Sequence, residues 1–354
     1  MNLYQNKLYM EDVRYVAELN LPWDKFYEKN IMLSGATGLL GSFFIDVIME
    51  KNLQGQNTKI YALGRNKEKA KLRFLKYTND QNLIFLPYDI KQAFYQDNLT
   101  EIDYVLHLAS NTHPVQYSTD PIGTITTNVI GLQNMLDFAV SHNAKRFIFA
   151  SSNEIYGENR GDTEFFDENY CGYINSNTVS AGYPESKRCG EALCQAYKAQ
   201  KGLDIIIPRF TRSYGPTMQM SDTKAISQFI KKGVNNEDIV LKSNGTQYYS
   251  YQYMADSISG LLTILLLGES GEAYNIAEEH SDITLKDLAA IIAKINGRNV
   301  IFELPDAVEA AGYSTATKSR LDGQKLTKLG WKPKYDIQSG IERTIQILRE
   351  LSNK

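Results

Sequence analysis

Lys29-Asn30-Ile31-Met32-Leu33-Ser34-Gly35-Ala36-Thr37-Gly38-Leu39-Leu40-Gly41-Ser42-Phe43-Phe44-Ile45-Asp46-Val47-Ile48 is the stretch that decides the fold. Residues 31–34 form an apolar run of strand length, and Leu39, Phe43, Phe44, Val47 and Ile48 recur at helical spacing. Between them stand Gly35, Gly38 and Gly41. Glycines at this point permit a tight turn, let backbone amides approach a pyrophosphate and let the helix pack close to the sheet. The helix amino terminus adds partial positive charge. Strand, loop and helix in this order predict a dinucleotide site lined by Gly35, Thr37, Gly38, Leu39, Leu40 and Gly41. The glycines alone also fit an ordinary strand-to-helix turn.

The same alternation continues outward. Strands are expected at 59–63, 82–86, 104–108, 146–150 and 203–208, and helices at 67–76, 126–141 and 183–201. Such alternation makes right-handed βαβ crossovers, so the fold class is α/β, a Rossmann doubly wound parallel sheet. Ligands of such sheets bind beyond the carboxyl ends of the strands, where strand order reverses. Past Arg209 the regularity fades, with helices expected at 222–232, 284–295 and 336–351. The expected division is an amino-terminal arm (1–30), a dinucleotide-binding domain (31–208, with parts of 245–278 returning to it) and a smaller, discontinuous substrate lobe (209–354). The arm, a short helix against the body, is expected to cover an edge or a partner subunit.

A chain of 354 residues with 43% hydrophobic and 22% charged residues is an ordinary globular balance. A formal net charge of −3 gives no basic field, which argues against a nucleic-acid partner. Cys171, Cys189 and Cys194 show neither a disulfide framework nor zinc spacing. The four histidines form no ligand cluster, so no metal is expected. The first ten residues carry no apolar signal core, and the longest apolar run, 261–267, is far short of the ~20 residues a membrane helix needs. A soluble, cytoplasmic protein without a membrane partner is therefore expected.

An acid at the end of the second strand would grip the ribose hydroxyls of NAD. Here Gly64-Arg65-Asn66 stands instead, and the forked donors of Arg65 suit a 2′-phosphate. The cofactor is thus NAD(P), with Arg65 leaning toward NADP and NAD left open. Asp89 and Ile90 follow the third strand, where a carboxylate meets the adenine amino group. Tyr183 and Lys187 lie one turn apart on one helix face. A free tyrosine, with a pKa near ~10, is a poor base. A neighbouring ammonium would lower that value and permit proton transfer with a substrate hydroxyl. Ser152, after the fifth strand, is placed to hydrogen-bond the same oxygen. His107 is read as structural, whereas His113, on the following loop, is a candidate for the substrate pocket.

Taken together, Gly35-x-x-Gly38-x-x-Gly41, His107-Leu108-Ala109, Ser151 through Gly157, Tyr183-x-x-x-Lys187 and Tyr214-Gly215-Pro216 resemble an extended short-chain dehydrogenase/reductase. More closely, the chain is similar to the NAD-dependent epimerase/dehydratase family of nucleotide-sugar enzymes, from about Ile31 to the carboxyl end. Segments 128–131, 183–194 and 252–256 resemble UDP-glucuronate decarboxylases. The resemblance implies that Tyr183 is the acid/base, that Lys187 anchors the nicotinamide ribose and lowers the tyrosine pKa, and that Ser152 orients substrate. Leu108, Ala109, Ser110 and Asn128 would line the cofactor. Glu154 matches the acid of relatives that eliminate or decarboxylate; a capping or pairing carboxylate is its other reading. Asn153 would face substrate. Arg212 replaces a family asparagine and Tyr249 an often-present arginine, and both are expected in the substrate cleft. A homodimer through helices 126–141 and 183–201 is implied.

Three activities stay open on this sequence. One is transient oxidation of a nucleotide-linked sugar or polyol, followed by epimerisation, dehydration or decarboxylation. The second is an NADPH-dependent reductase that exchanges cofactor each turnover. The third is a cofactor-sensing binding protein, which has no need of an intact serine, tyrosine and lysine.

Overall fold

The computed structural model describes residues 2–93, 99, 101–112, 114–303 and 317–352. After α1 (Lys7–Ala17) come β1 (Asn30–Ser34), α2 (Leu39–Asn52), β2 (Lys59–Gly64), α3 (Lys67–Arg73), β3 (Leu83–Pro87) and β4 (Tyr104–His107). There follow α4 (Pro114–Thr119), α5 (Pro121–Ser141), β5 (Arg146–Phe149), β6 (Ser151–Ser152), α6 (Gly182–Lys201) and β7 (Ile205–Phe210). The rest comprises β8 (Arg212–Tyr214), α7 (Ala225–Val234), β9 (Ile239–Leu241), β10 (Tyr248–Tyr253), α8 (Met254–Leu267), β11 (Ala273–Ile276), β12 (Asp282–Thr284), α9 (Leu285–Ile295), β13 (Val300–Phe302), β14 (Lys318–Ser319), α10 (Gln324–Thr327) and α11 (Ile337–Ser352).

The main sheet runs β3-β2-β1-β4-β5-β7-β11, with every pair parallel, and β6 adds to β7. Helices cover both faces, so the central strands are apolar on both sides: Ile31, Met32, Leu33, Val105, Leu106, Phe147, Ile148 and Phe149 are fully buried. Successive strands step outward from β1 to β3, then restart at β4 on the other side of β1. Strand order therefore reverses between β1 and β4, and their carboxyl ends open the crevice that holds the candidate site.

A smaller sheet centres on β10, which pairs with β12 antiparallel and with β14 and β8 parallel. The pairing of Tyr251 with Arg212 fixes where the Arg212 side chain starts, two residues along β10 from Tyr249. β11 crosses back to join β7 in the main sheet. Among the described residues no helix is long and apolar enough to cross a membrane.

One expectation needs correction. α5 begins at Pro121, not near 126, because Asp120 caps it by accepting from the Gly123 amide at 3.0 Å and Pro121 sits in its first turn. The amino-terminal segment carries its short helix against the body. α1 packs on α2, α8 and α11, and Tyr9, Val13, Val16 and Ala17 are fully buried in the main core. Its Asp12, also fully buried, accepts from Tyr253 Oη, Tyr335 Oη and Arg343 Nε, each at 2.7 Å.

Candidate functional site

The crevice is built on two bare α carbons. A Cβ on Gly35, which has φ +78°, would stand 2.8 Å from both the Ala109 nitrogen and the Leu108 carbonyl carbon. A Cβ on Gly41 would stand 2.4 Å from the Gly35 carbonyl oxygen. Only glycine lets the loop after β1 lie this close to the end of β4 and to the start of α2. Gly38 is the residue before α2, and no side chain caps that helix, so its leading N–H groups remain for an anion. Thr37, Leu39 and Leu40 are half-buried around this turn. These features fit the diphosphate of a dinucleotide.

Other expected cofactor residues take different situations. Asp89 is half-buried just past β3 and accepts from the Lys91 amide at 3.1 Å; Ile90 is buried. Arg65 points into solvent past the end of β2. Asn128 is fully buried, accepting from Ser110 Oγ at 2.7 Å and donating to Ser186 Oγ at 2.9 Å. It therefore braces α5 and α6 behind the crevice. Ser34 Oγ meets His107 Nδ1 at 2.8 Å across β1 and β4. Burial, then the charge of Lys187, pushes the imidazole down to about 3, so His107 is a neutral strand-end residue.

Tyr183, near the start of α6, and Lys187, one turn on, are both buried. Burial pushes the phenol of Tyr183 up to about 12; the Ser152 hydroxyl lowers it, the Glu154 charge raises it, and the Ser110 and Tyr117 hydroxyls lower it. Lys187 Nζ donates to the Ala150 carbonyl at 2.7 Å and lies 4.8 Å from the Phe149 ring centroid. Burial pulls its ammonium down to about 7. Here the structure departs from expectation. The lysine is placed on the right face, but desolvation dominates both groups, and the tyrosine is raised rather than lowered.

Across the crevice Glu154 pairs with Arg212, Oε1 to Nη2 at 3.1 Å. The Arg212 guanidinium lies 3.7 Å from the centroid of the Tyr249 ring. Asn153 is buried, and with its amide turned to satisfy both ends its oxygen accepts from Arg212 Nη1 at 2.9 Å. Glu154, Asn153, Arg212 and Tyr249 thus form one polar cluster, and the Glu154 charge reaches Tyr183. The pairing alternative for Glu154 has this direct contact behind it. His113 lies outside the described residues. Among the described residues no group of His, Cys, Asp and Glu is arranged to hold a metal.

Sequence reasoning missed two features. Tyr117 on α4 stacks on Tyr183 with ring centroids 4.7 Å apart and planes 19° apart. In a chain with 23 tyrosines nothing distinguishes Tyr117 locally. The second is a recess of about 410 Å³ beside the glycine loop, reached by Thr37, Ser42, Lys69 and Arg73 and roofed by residues 216–221. The spacing of Lys69 and Arg73 on α3 was a usable signal, since residues four apart share a face.

A model of the NAD dependent epimerase/dehydratase family matches residues 31–277. The chain is 29% identical over 323 residues to UDP-glucuronic acid decarboxylase 1 of Xenopus tropicalis, covering 91% of this chain and 72% of that protein. Among solved structures it is similar to UDP-glucose 4-epimerase of Thermotoga maritima with UDP-glucose (TM-score 0.78, 21% identity, 91% of this chain and 99% of that one). It is also similar to dTDP-glucose 4,6-dehydratase of Streptomyces venezuelae with NAD bound (TM-score 0.78, 23% identity, 92% and 98%). At these identities the structural likeness is one of fold.

Proposed function

Because the chain belongs to the NAD-dependent epimerase/dehydratase family, we propose that it transiently oxidises a hydroxyl of a nucleotide-linked sugar or polyol, alters the resulting ketone and reduces it again. A nicotinamide dinucleotide bound at the glycine loop supplies the redox partner for both steps. Tyr183 receives the proton of the substrate hydroxyl on oxidation and returns it on reduction. Ser152 and Ser110 hold that oxygen in line, and the Tyr117 ring stacked on Tyr183 fixes the phenol and keeps water from one of its faces. Lys187 is the ammonium that a phenolate on Tyr183 would stabilise. Forming that phenolate favours the charged lysine in turn, so the two titrate as a pair.

Glu154 supplies a second acid/base group for the step on the ketone. Its contact with Arg212 holds it in position until a substrate anion competes for the guanidinium. The observation that carries the reading is the hydrogen bond between Ser152 and Tyr183, with Lys187 one turn along α6 and the Glu154–Arg212 pair beside them. The curated relative's name points to a UDP-linked uronic acid as a first substrate to try.

A second reading, an NADPH-dependent reductase, is favoured by Arg65 and by the lack of an acid at the end of β2. A cofactor-sensing protein would have no use for an intact Ser152, Tyr183 and Lys187. The family resemblance also suggests a homodimer joined through α5 and α6. Ile122 and Ile125 on α5 and Val179 just before α6 are exposed at 76%, 41% and 62%, and covering them would remove apolar surface from water. Mass spectrometry of products from UDP-, dTDP-, GDP- and CDP-linked sugars tests the activity. A product without net dinucleotide consumption is expected, and steady NADPH oxidation with a keto-sugar would move the assignment to the reductase.

A further inference from the structure

Three residues of α6, each one turn from the next, hold three consecutive residues of the strand end that carries Ser152. Tyr183 hydrogen-bonds Ser152, and Lys187 Nζ donates to the Ala150 carbonyl at 2.7 Å. Between them in sequence, the Ser151 hydroxyl donates to Glu191 Oε1 at 2.5 Å. Ser151 is 4% exposed, so this hydroxyl is satisfied inside the protein.

Glu191 is itself clamped. Arg209 of β7 donates to Glu191 Oε1 from Nε at 3.0 Å and to Oε2 from Nη2 at 2.7 Å, a bidentate pair with both side chains largely buried. Its Nη1 donates to Tyr156 Oη at 2.9 Å and to the Glu168 carbonyl at 2.7 Å. Arg209 is also the strand partner of Ser151, as Phe210 is of Ser152. One carboxylate thus ties α6 to β6 and β7 beside Ser152. The planar fork of a guanidinium fixes the orientation of that carboxylate.

We propose that Glu191, held by Arg209, is a positioning residue: through the Ser151 hydroxyl it fixes the strand end on which Ser152 meets Tyr183. The inference rests on the catalytic reading of Tyr183 and Ser152 and goes beyond it by naming what keeps them in register. Glu191 also acts on Lys187. The titratable groups that bear on Lys187 are Tyr183, Glu191 and Cys194 of its own helix and His107 of β4. Burial disfavours the Lys187 ammonium, while Cys194 and Glu191 favour it. Burial pushes the Cys194 thiol up, so it is uncharged near neutral pH and the standing negative charge is that of Glu191. Ammonium beside phenolate is the reactive form of the Tyr183–Lys187 pair, and Glu191 raises its share.

The test combines steady-state turnover, NAD titration and thermal melting of the full chain, with a substrate found among the UDP-, dTDP-, GDP- and CDP-linked sugars. Ser151→Ala deletes the hydroxyl and leaves the Glu191–Arg209 pair whole. It should lower kcat about tenfold or more, with KM and NAD affinity within about twofold. Thr263→Ala deletes a comparably buried hydroxyl, bonded to the Ser259 carbonyl within α8, and should leave kcat unchanged. Glu191→Gln should lower the maximal rate and move both limbs of the pH profile of kcat to lower pH, because a negative charge that held protons on the pair is gone. A kcat for Ser151→Ala within about twofold of wild type overturns the proposal, as does a fall no larger than that of Thr263→Ala. So does a Glu191→Gln profile with its limbs in place, which is what lost stability alone produces. If Glu191→Gln does not fold, Ser151→Ala decides alone. Turnover surviving in Tyr183→Phe, or no turnover of any of these sugars by wild type, overturns the catalytic reading and this inference together.

Discussion

Gly41→Ala puts the cofactor cradle to a direct steric trial. To move from 2.4 Å to the 3.0 Å that real Cβ atoms respect, the new methyl must push the Gly35 carbonyl away by at least 0.6 Å. That carbonyl is backbone, with no flexible end to swing aside, so the loop and the first turn of α2 must separate. Overpacking of this kind costs ~1–3 kcal/mol of stability. The functional cost is larger in proportion. If two amide contacts to a diphosphate are lost, at ~1–1.5 kcal/mol each, dinucleotide affinity falls roughly 30- to 150-fold. Gly55→Ala is the matched control. It also has a positive φ, +87°, but nothing lies within 4 Å of its Cβ, so backbone strain of ~1–2 kcal/mol should appear without any change in binding. Calorimetric titration with NAD and NADP, beside urea denaturation, separates the two effects. If Gly41→Ala bound both dinucleotides within about threefold of wild type while losing as much stability as Gly55→Ala, the loop would not be the cradle.

Tyr183→Phe should lower turnover by roughly 10²–10⁴ while leaving dinucleotide affinity within a few-fold, as read from steady-state rates and titration on the same preparation. Lys187 sets a pH dependence of stability with a definite sign. Its proton leaves near 7 in the folded state and near 10.5 in the unfolded chain, so the unfolded state binds more protons between those values. Stability should therefore rise with pH through that window, and Lys187→Met should flatten the rise, as followed by urea midpoints from pH 6 to 10. Asp12→Ala removes the acceptor of Arg343, Tyr253 and Tyr335 at once and should cost ~3–5 kcal/mol in urea unfolding. A change under ~1 kcal/mol would mean that α1 is a dispensable appendage.

The parallel sheet was legible because its strands are short apolar runs separated by helical periods, and the glycine loop stands at the first of those junctions. Tyr183, Lys187 and Ser152 were legible because strand ends and helix faces are local. Other features depend on distant partners. α8 shows in the sequence only as the apolar run 261–267. It is buried on all sides from Met254 to Leu266, and an all-round apolar helix carries no amphipathic period. α1 reads as a polar segment because Asp12 and Tyr9 find their partners at residues 253, 335, 343 and 46. The raised Tyr183 phenol was not legible because spacing gives the neighbour and not the desolvation. The start of α5 is written in Asp120-Pro121, but its first turns are rich in Ile and Thr, whose low helix propensity masks it.

The central claim is internal recycling of hydrogen at a Tyr183-centred site, and an isotope experiment reads it most directly. A nucleotide-linked sugar carrying deuterium on the carbon that is oxidised is converted by the purified protein, and the product and the dinucleotide pool are analysed by mass spectrometry. The account predicts that the deuterium stays in the product, on the oxidised carbon or, after an elimination, on the carbon two positions along, with no net change in oxidised and reduced dinucleotide. Deuterium accumulating in free reduced dinucleotide, one equivalent per product, would contradict it.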